Sequence, residues 1–155
     1  MPSLPDVSTE DVLNQPLRLQ FEVFLDEHRG DLNRCLDGLT EEQARRSLVA
    51  SRTTLLGLVK HATFVEKVWF DAAVTGRSRA EIGIPASPDE SFELDDADTI
   101  AAVQQAHREA CAASRRAAAS LGLDDLVSGN RRGPLPLRWI YLHMLRELAQ
   151  HGGHA

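Results

Sequence analysis

Cysteine is scarce in this sequence. Cys35 and Cys111 are the only two in 155 residues, too few for a disulfide scaffold and not arranged as a CxxC pair. That scarcity points to a reducing compartment, the cytoplasm. Positive charge is in deficit, with 17 Lys+Arg against 23 Asp+Glu and a formal net charge of -6. Nucleic acid and anionic membranes are bound through basic surfaces, so neither is expected as a partner. Long apolar runs are missing as well: no stretch reaches the roughly 18 residues that a membrane span requires, and the mean hydropathy is -0.26. The opening MPSLPDVSTED has neither the basic start nor the apolar stretch of a signal peptide. Aromatic residues make up only 5% of the chain. Leu, Ala and Val must build the core, which favours helices packed on helices over a sheet.

What is present is helical periodicity. The length suits one domain over residues 1–155, with residues 1–13 as a loose lead-in. Leu17, Phe21, Phe24, Leu25, Leu32 and Leu36 mark a first helix, with Gly38 a plausible stop. Thr40-Glu-Glu-Gln43 has the spacing of a capping box and predicts a short helix. Ser51-Arg-Thr-Thr54 offers caps for a second long helix, ending near Gly76 and apolar at Leu55, Leu58, Val59, Ala62, Val65, Trp69, Phe70 and Ala73. No period survives between Arg77 and Asp98, a long connection. Asp98 is placed to cap a third helix that stops at Gly122, and Pro136 to open a fourth. Four long helices without a convincing strand predict an all-α four-helix bundle.

The chemistry-bearing residues concentrate in the last helix, where His143, Glu147, His151 and His154 stand close in sequence. At about 100° per residue they fall within an arc of about 80°, beside the apolar side of Leu137, Met144 and Leu148. Imidazoles and one carboxylate suit a divalent transition metal such as Zn, with Ni or Fe as alternatives. A ligand from a second helix is needed to complete such a site, and His61, among Leu58, Val59, Ala62 and Val65, is the best partner. The stripe reads equally as a solvated helix face. Glu66 and Trp69 share the His61 helix; Glu66 reads first as a surface carboxylate and otherwise as a residue orienting a ligand. Cys111 reads as a small buried thiol among alanines. Arg131 and Arg132, in the loop before the last helix, are candidates for holding an anionic group.

Two segments carry a resemblance. Leu56-Gly-Leu-Val-Lys-His61-Ala-Thr-Phe-Val-Glu66-Lys-Val-Trp-Phe70 resembles the second helix of the DinB/YfiT-like superfamily, and within it the actinobacterial mini-circle protein branch. Leu137 to Ala155 resembles that branch's last helix, and Gly38-Leu-Thr-Glu-Glu-Gln43 its link between helices one and two. Members usually continue with an Asp-x-x-Arg-Glu-like tail. Its absence here leaves two expectations: a last helix that frays, or a longer protein in the cell.

The resemblance implies a four-helix bundle with a long crossover between helices two and three. It also implies a metal triad of one His from the second helix and two ligands four apart on the last. Carried onto this sequence, those are His61, Glu147 and His151. The His/Glu/His version is similar to the mycothiol-dependent maleylpyruvate isomerase type. His154 falls where many members have Gln and is expected at bound water or substrate; His143 is either a fourth ligand or the residue that orients Glu147. The implied activity is a metal-dependent thiol S-transferase, acting on a small-molecule electrophile with a low-molecular-weight thiol, such as mycothiol, as cosubstrate. A metal-dependent hydrolase, or a non-catalytic metal-binding or stress-response interaction protein, stays open beside it. Bundles of this kind also form homodimers through an exposed apolar helix face.

Overall fold

The computed structural model describes residues 7–47 and 53–154. Four long helices dominate it: α1 (Leu17–Arg34), α2 (Leu55–Lys67), α3 (Ile100–Ala119) and α4 (Leu137–His154). α2 does not end at Lys67. It runs on through a π-helical turn, Val68–Ala72, and a last turn, Ala73–Thr75, before closing at Gly76. The all-α bundle expected from the apolar periodicity is therefore what the chain forms.

Local chemistry accounts for where the helices start. Thr54 Oγ1 accepts from the Gly57 amide at 2.9 Å, opening α2 with a side-chain cap. The Thr40–Gln43 capping box is present, with the short helix Glu41–Ala44 behind it. α3 departs from expectation by one residue. Thr99, in an extended conformation, is its cap and accepts from the Ala102 amide at 3.1 Å. The expected cap, Asp98, is drawn instead to Lys60 Nζ at 2.7 Å, where a full charge is a stronger partner than an amide.

Contacts along the helices give their directions. Arg18 bonds the carbonyls of Ala118 and Leu121 while Asn33 meets His107, so α1 and α3 are antiparallel. His61 meets His151 and Trp69 meets Trp139, so α2 and α4 are antiparallel. Lys60 meets Asp98 and Glu66 meets Ser114, so α2 and α3 run the same way. Only a long crossover can join parallel neighbours, and the segment after Gly76 is that crossover. It carries two short helical turns, Arg79–Ile82 and Glu90–Phe92.

The core is built as the composition required, from Leu25, Leu32, Leu36, Leu56, Leu58, Ile140, Met144 and Leu148, all essentially inaccessible. α2 is the most central element, burying nine residues from Leu56 to Glu66. Residues 1–6 of the lead-in lie outside the described residues; in the rest of it Ser8 caps a 3-10 turn at Thr9–Val12, and Val12 is buried. Among the described residues a two-stranded antiparallel pairing, Leu126–Val127 with Leu135–Pro136, and an isolated bridge between Ser47 and Thr54 occur where no strand was expected. In the loop between these strands the Gly129 amide donates to Ala73 O at 2.9 Å. A Cβ at Gly129 would lie 2.2 Å from Ala72 O, so only glycine lets the loop dock on the end of α2. Among the described residues, no helix is long and apolar enough to cross a membrane.

Candidate metal centre

α2 and α4 supply the three side chains that converge. His61 is buried on the middle of α2; Glu147 and His151 lie half-buried one turn apart on α4. One ligand atom from each lies within 4.8 Å of the others. Glu147 Oε2 stands 3.2 Å from His151 Nε2, and the His151 ring meets the His61 ring edge-on at 4.9 Å. Sequence spacing put Glu147 and His151 on one face; the antiparallel packing of α2 against α4 brings His61 to them.

Each imidazole is held by its surroundings. The His61 ring stacks flat on Phe92, with centroids 4.0 Å apart and planes 13° from parallel. Its Nδ1 lies 2.6 Å from Ser91 Oγ. Burial, reinforced by the neighbouring His151, pushes the His61 pKa down to about 4, so the ring is neutral and carries a lone pair at physiological pH.

His143 takes a supporting position. Arg146 Nη2 donates to its Nδ1 at 2.7 Å, which leaves Nε2 as the protonated nitrogen, 3.5 Å from Glu147 Oε1. His143 is also walled by Trp69 at 4.6 Å and stacked on Trp139 at 5.1 Å. Of the two loop arginines, Arg132 lies over both indoles, 5.7 Å from each ring centre, whereas Arg131 is simply exposed. The side chain of His154 lies outside the described residues.

Glu66 corrects a sequence expectation. It is not a surface carboxylate but fully buried, gripped by Arg29 through Nε at 2.5 Å and Nη2 at 3.0 Å, with Ser114 Oγ donating at 3.1 Å. Five residues from His61, it points about 140° away around the helix and is not among the converging ligand atoms. Cys111 is buried as expected, its thiol pushed far up by burial and so held as an inert packing group. Sequence reasoning missed Ser91, Phe92 and Arg146. The first two sit in an aperiodic loop some thirty residues from His61, where nothing in the sequence marks them.

A sequence model of the mycothiol-S-transferase family matches residues 20–155. The chain belongs to that family. This mycothiol-S-transferase family member is thereby placed in the DinB-like superfamily, a relationship that its helix order and long crossover bear out. No individual curated protein matches the chain. The matched segment contains all three converging residues and all of α2, α3 and α4. At the family level the chain is a thiol-related, metal-dependent enzyme. Its residues fit a metal: two imidazoles and one carboxylate form a nitrogen and oxygen donor set of the kind divalent transition ions take.

Proposed function

We propose that this chain is a metal-dependent S-transferase. In this reading His61, Glu147 and His151 hold one divalent transition ion, and a mycothiol-type thiol is transferred to a small electrophile. The observation that carries it is the meeting of three lone-pair donors from two helices within 4.8 Å. Zn2+ is the ion that the donor set suits best, since two histidines and one acid with a vacant fourth position form a common catalytic zinc arrangement. A divalent ion held there lowers the pKa of a thiol that shares it and so supplies a thiolate near neutral pH.

The chain's own residues do the rest. Burial keeps His61 neutral, so it need not lose a proton to become a ligand. Glu147 brings the negative charge that partly offsets a dication, with His143 Nε2 3.5 Å away as its neighbour one turn back on α4. Trp69, Trp139 and the His143 ring form an apolar wall beside Glu147, and Arg132 over the two indoles is the cation placed to take an anionic group of a substrate.

Elemental analysis and a thiol-consumption assay test this together. Wild-type protein should carry close to one divalent ion per chain and consume mycothiol in the presence of a reactive electrophile. His61→Ala and His151→Ala should lose both properties. Unchanged metal content in those variants overturns the ligand assignment; bound metal without thiol consumption overturns the transferase.

A further inference from the structure

The crossover between α2 and α3 reads in sequence as a connection. In the structure its segment 88–92 lies against the His61 ring. Three contacts define the arrangement. Ser91, only 1% exposed, has its Oγ 2.6 Å from His61 Nδ1. That same hydroxyl donates its single proton to the Pro88 carbonyl. Phe92 stacks its ring flat on the imidazole.

The proton inventory decides the tautomer. A serine hydroxyl has one hydrogen to give and lone pairs to receive. Its hydrogen is committed to Pro88, so toward His61 it can only accept. His61 must then carry its proton on Nδ1, and its lone pair stands on Nε2. Which nitrogen of a histidine binds a metal is set by the hydrogen bond that the other makes.

We infer that Ser91 is a positioning residue for the metal centre: it fixes His61 as the Nδ1–H tautomer in a fixed plane, so that Nε2 is displayed before any ion arrives. This rests on the ligand assignment for His61 and extends it to a residue outside the two ligand helices. α2 makes room for the device at Gly57. A Cβ there would come within 3.0 Å of the Phe92 carbonyl oxygen, so glycine allows the crossover backbone to close on the first turn of α2. The Thr54 cap, Gly57, Phe92 and Ser91 thus form one continuous seat under His61.

The direct test needs no substitution. Long-range 15N–1H NMR of the metal-free wild-type protein near pH 7.5 reads the two ring nitrogens of each histidine. His61 should show a protonated Nδ1 and an unprotonated Nε2; the reverse pattern overturns the inference. In Ser91→Ala the His61 signals should move toward the Nε2–H form, and the affinity for zinc alone should fall roughly 10–100-fold, the range for losing an outer partner of a metal-bound histidine. Ser91→Thr, which keeps the hydroxyl, should recover most of that loss. An unaltered tautomer in a folded Ser91→Ala overturns the inference, and so does a Ser91→Thr that folds but binds zinc no better than Ser91→Ala. If wild type binds no zinc, the functional reading fails, and the tautomer measured in the metal-free protein still decides the role of Ser91.

Discussion

Two buried polar clusters share α2, five residues apart, and they are built on opposite principles. Around Glu66 every charge has a countercharge. Arg29 grips the Glu66 carboxylate, and Asp26 Oδ1 receives both Arg29 at 3.0 Å and Arg115 at 2.8 Å. Two acids and two guanidiniums balance inside the protein; burial alone would lower the Arg29 pKa, but the charges of Glu66 and Asp26 outweigh it and raise it. Around His61 the converging groups are donors of electron pairs: two imidazoles and a carboxylate that, among the described residues, forms no ion pair with Lys or Arg. A cluster that neutralises itself holds helices together. A cluster of lone pairs turned toward one point is suited to receive a cation. The residue types alone, a carboxylate beside histidine or arginine, do not separate the two roles; the inventory of charge does.

The largest effect should come from unbalancing the first cluster. Arg29→Met leaves Glu66 buried without its cation, and breaking a buried pair in this way costs about 3–5 kcal/mol. For a chain of this size that lowers the melting temperature on the order of 10 °C, as a thermal melt followed by circular dichroism would record. The double variant Arg29→Met/Glu66→Leu should regain most of the loss. It removes both charges together and leaves the Asp26–Arg115 pair intact, and apolar replacement of a whole buried pair is often neutral. Zinc stoichiometry should be unchanged in both. A loss of metal there would mean that the two clusters are one site.

The converse experiment unbalances nothing in the metal-free fold. Zinc at about 100 times its dissociation constant should stabilise wild type by about 2.7 kcal/mol, visible as a rise in melting temperature. Glu147→Gln should abolish that rise at the same zinc concentration while barely changing the melt without zinc. Glu66→Gln should do the opposite, melting lower yet still responding to zinc. Equal loss of the zinc response in the two variants would show that the wrong carboxylate has been assigned to the ion.

The contrast also marks what a sequence can reveal. The four helices were legible because Leu, Val and Ala recur at helical spacing and caps such as Thr54 and Thr40 stand at their starts. Glu147 and His151 were legible as a pair because four residues is a local distance on one helix. His61 could be named as their partner from its apolar setting and the family resemblance. Glu66 was misjudged because its burial depends on Arg29, which lies 37 positions earlier in a different helix. Periodicity places a residue on a face, but it does not say what waits opposite. Ser91 was invisible for the same reason, and its loop offered no period to place it at all.

The smallest expected effect separates the clusters by pH. His107 on α3 lies beside the charge-balanced cluster, nearly inaccessible, with Asn33 Nδ2 donating to its Nδ1 at 3.0 Å. Burial pushes its pKa down from 6.5 to about 4, with Glu66 opposing and Arg29 assisting. Because the folded value lies below the unfolded one, the unfolded chain binds more protons between these limits. The stabilisation is therefore fully present above pH 6.5 and declines as the pH falls toward 4. Between pH 6.5 and 5.5 the loss assigned to this group is about 1 kcal/mol. His107→Gln, whose amide oxygen can still accept from Asn33, should flatten the denaturation-derived stability curve by that amount across the interval. Zinc should leave this difference between wild type and variant unaltered, because His107 is not among the converging ligand atoms. It should, however, steepen the acid limb in both proteins, since His61 and His151 must be free of protons to hold the ion. A zinc-dependent change in the His107 difference would mean that the two sides of α2 are energetically coupled, and that charge balance alone does not separate their roles.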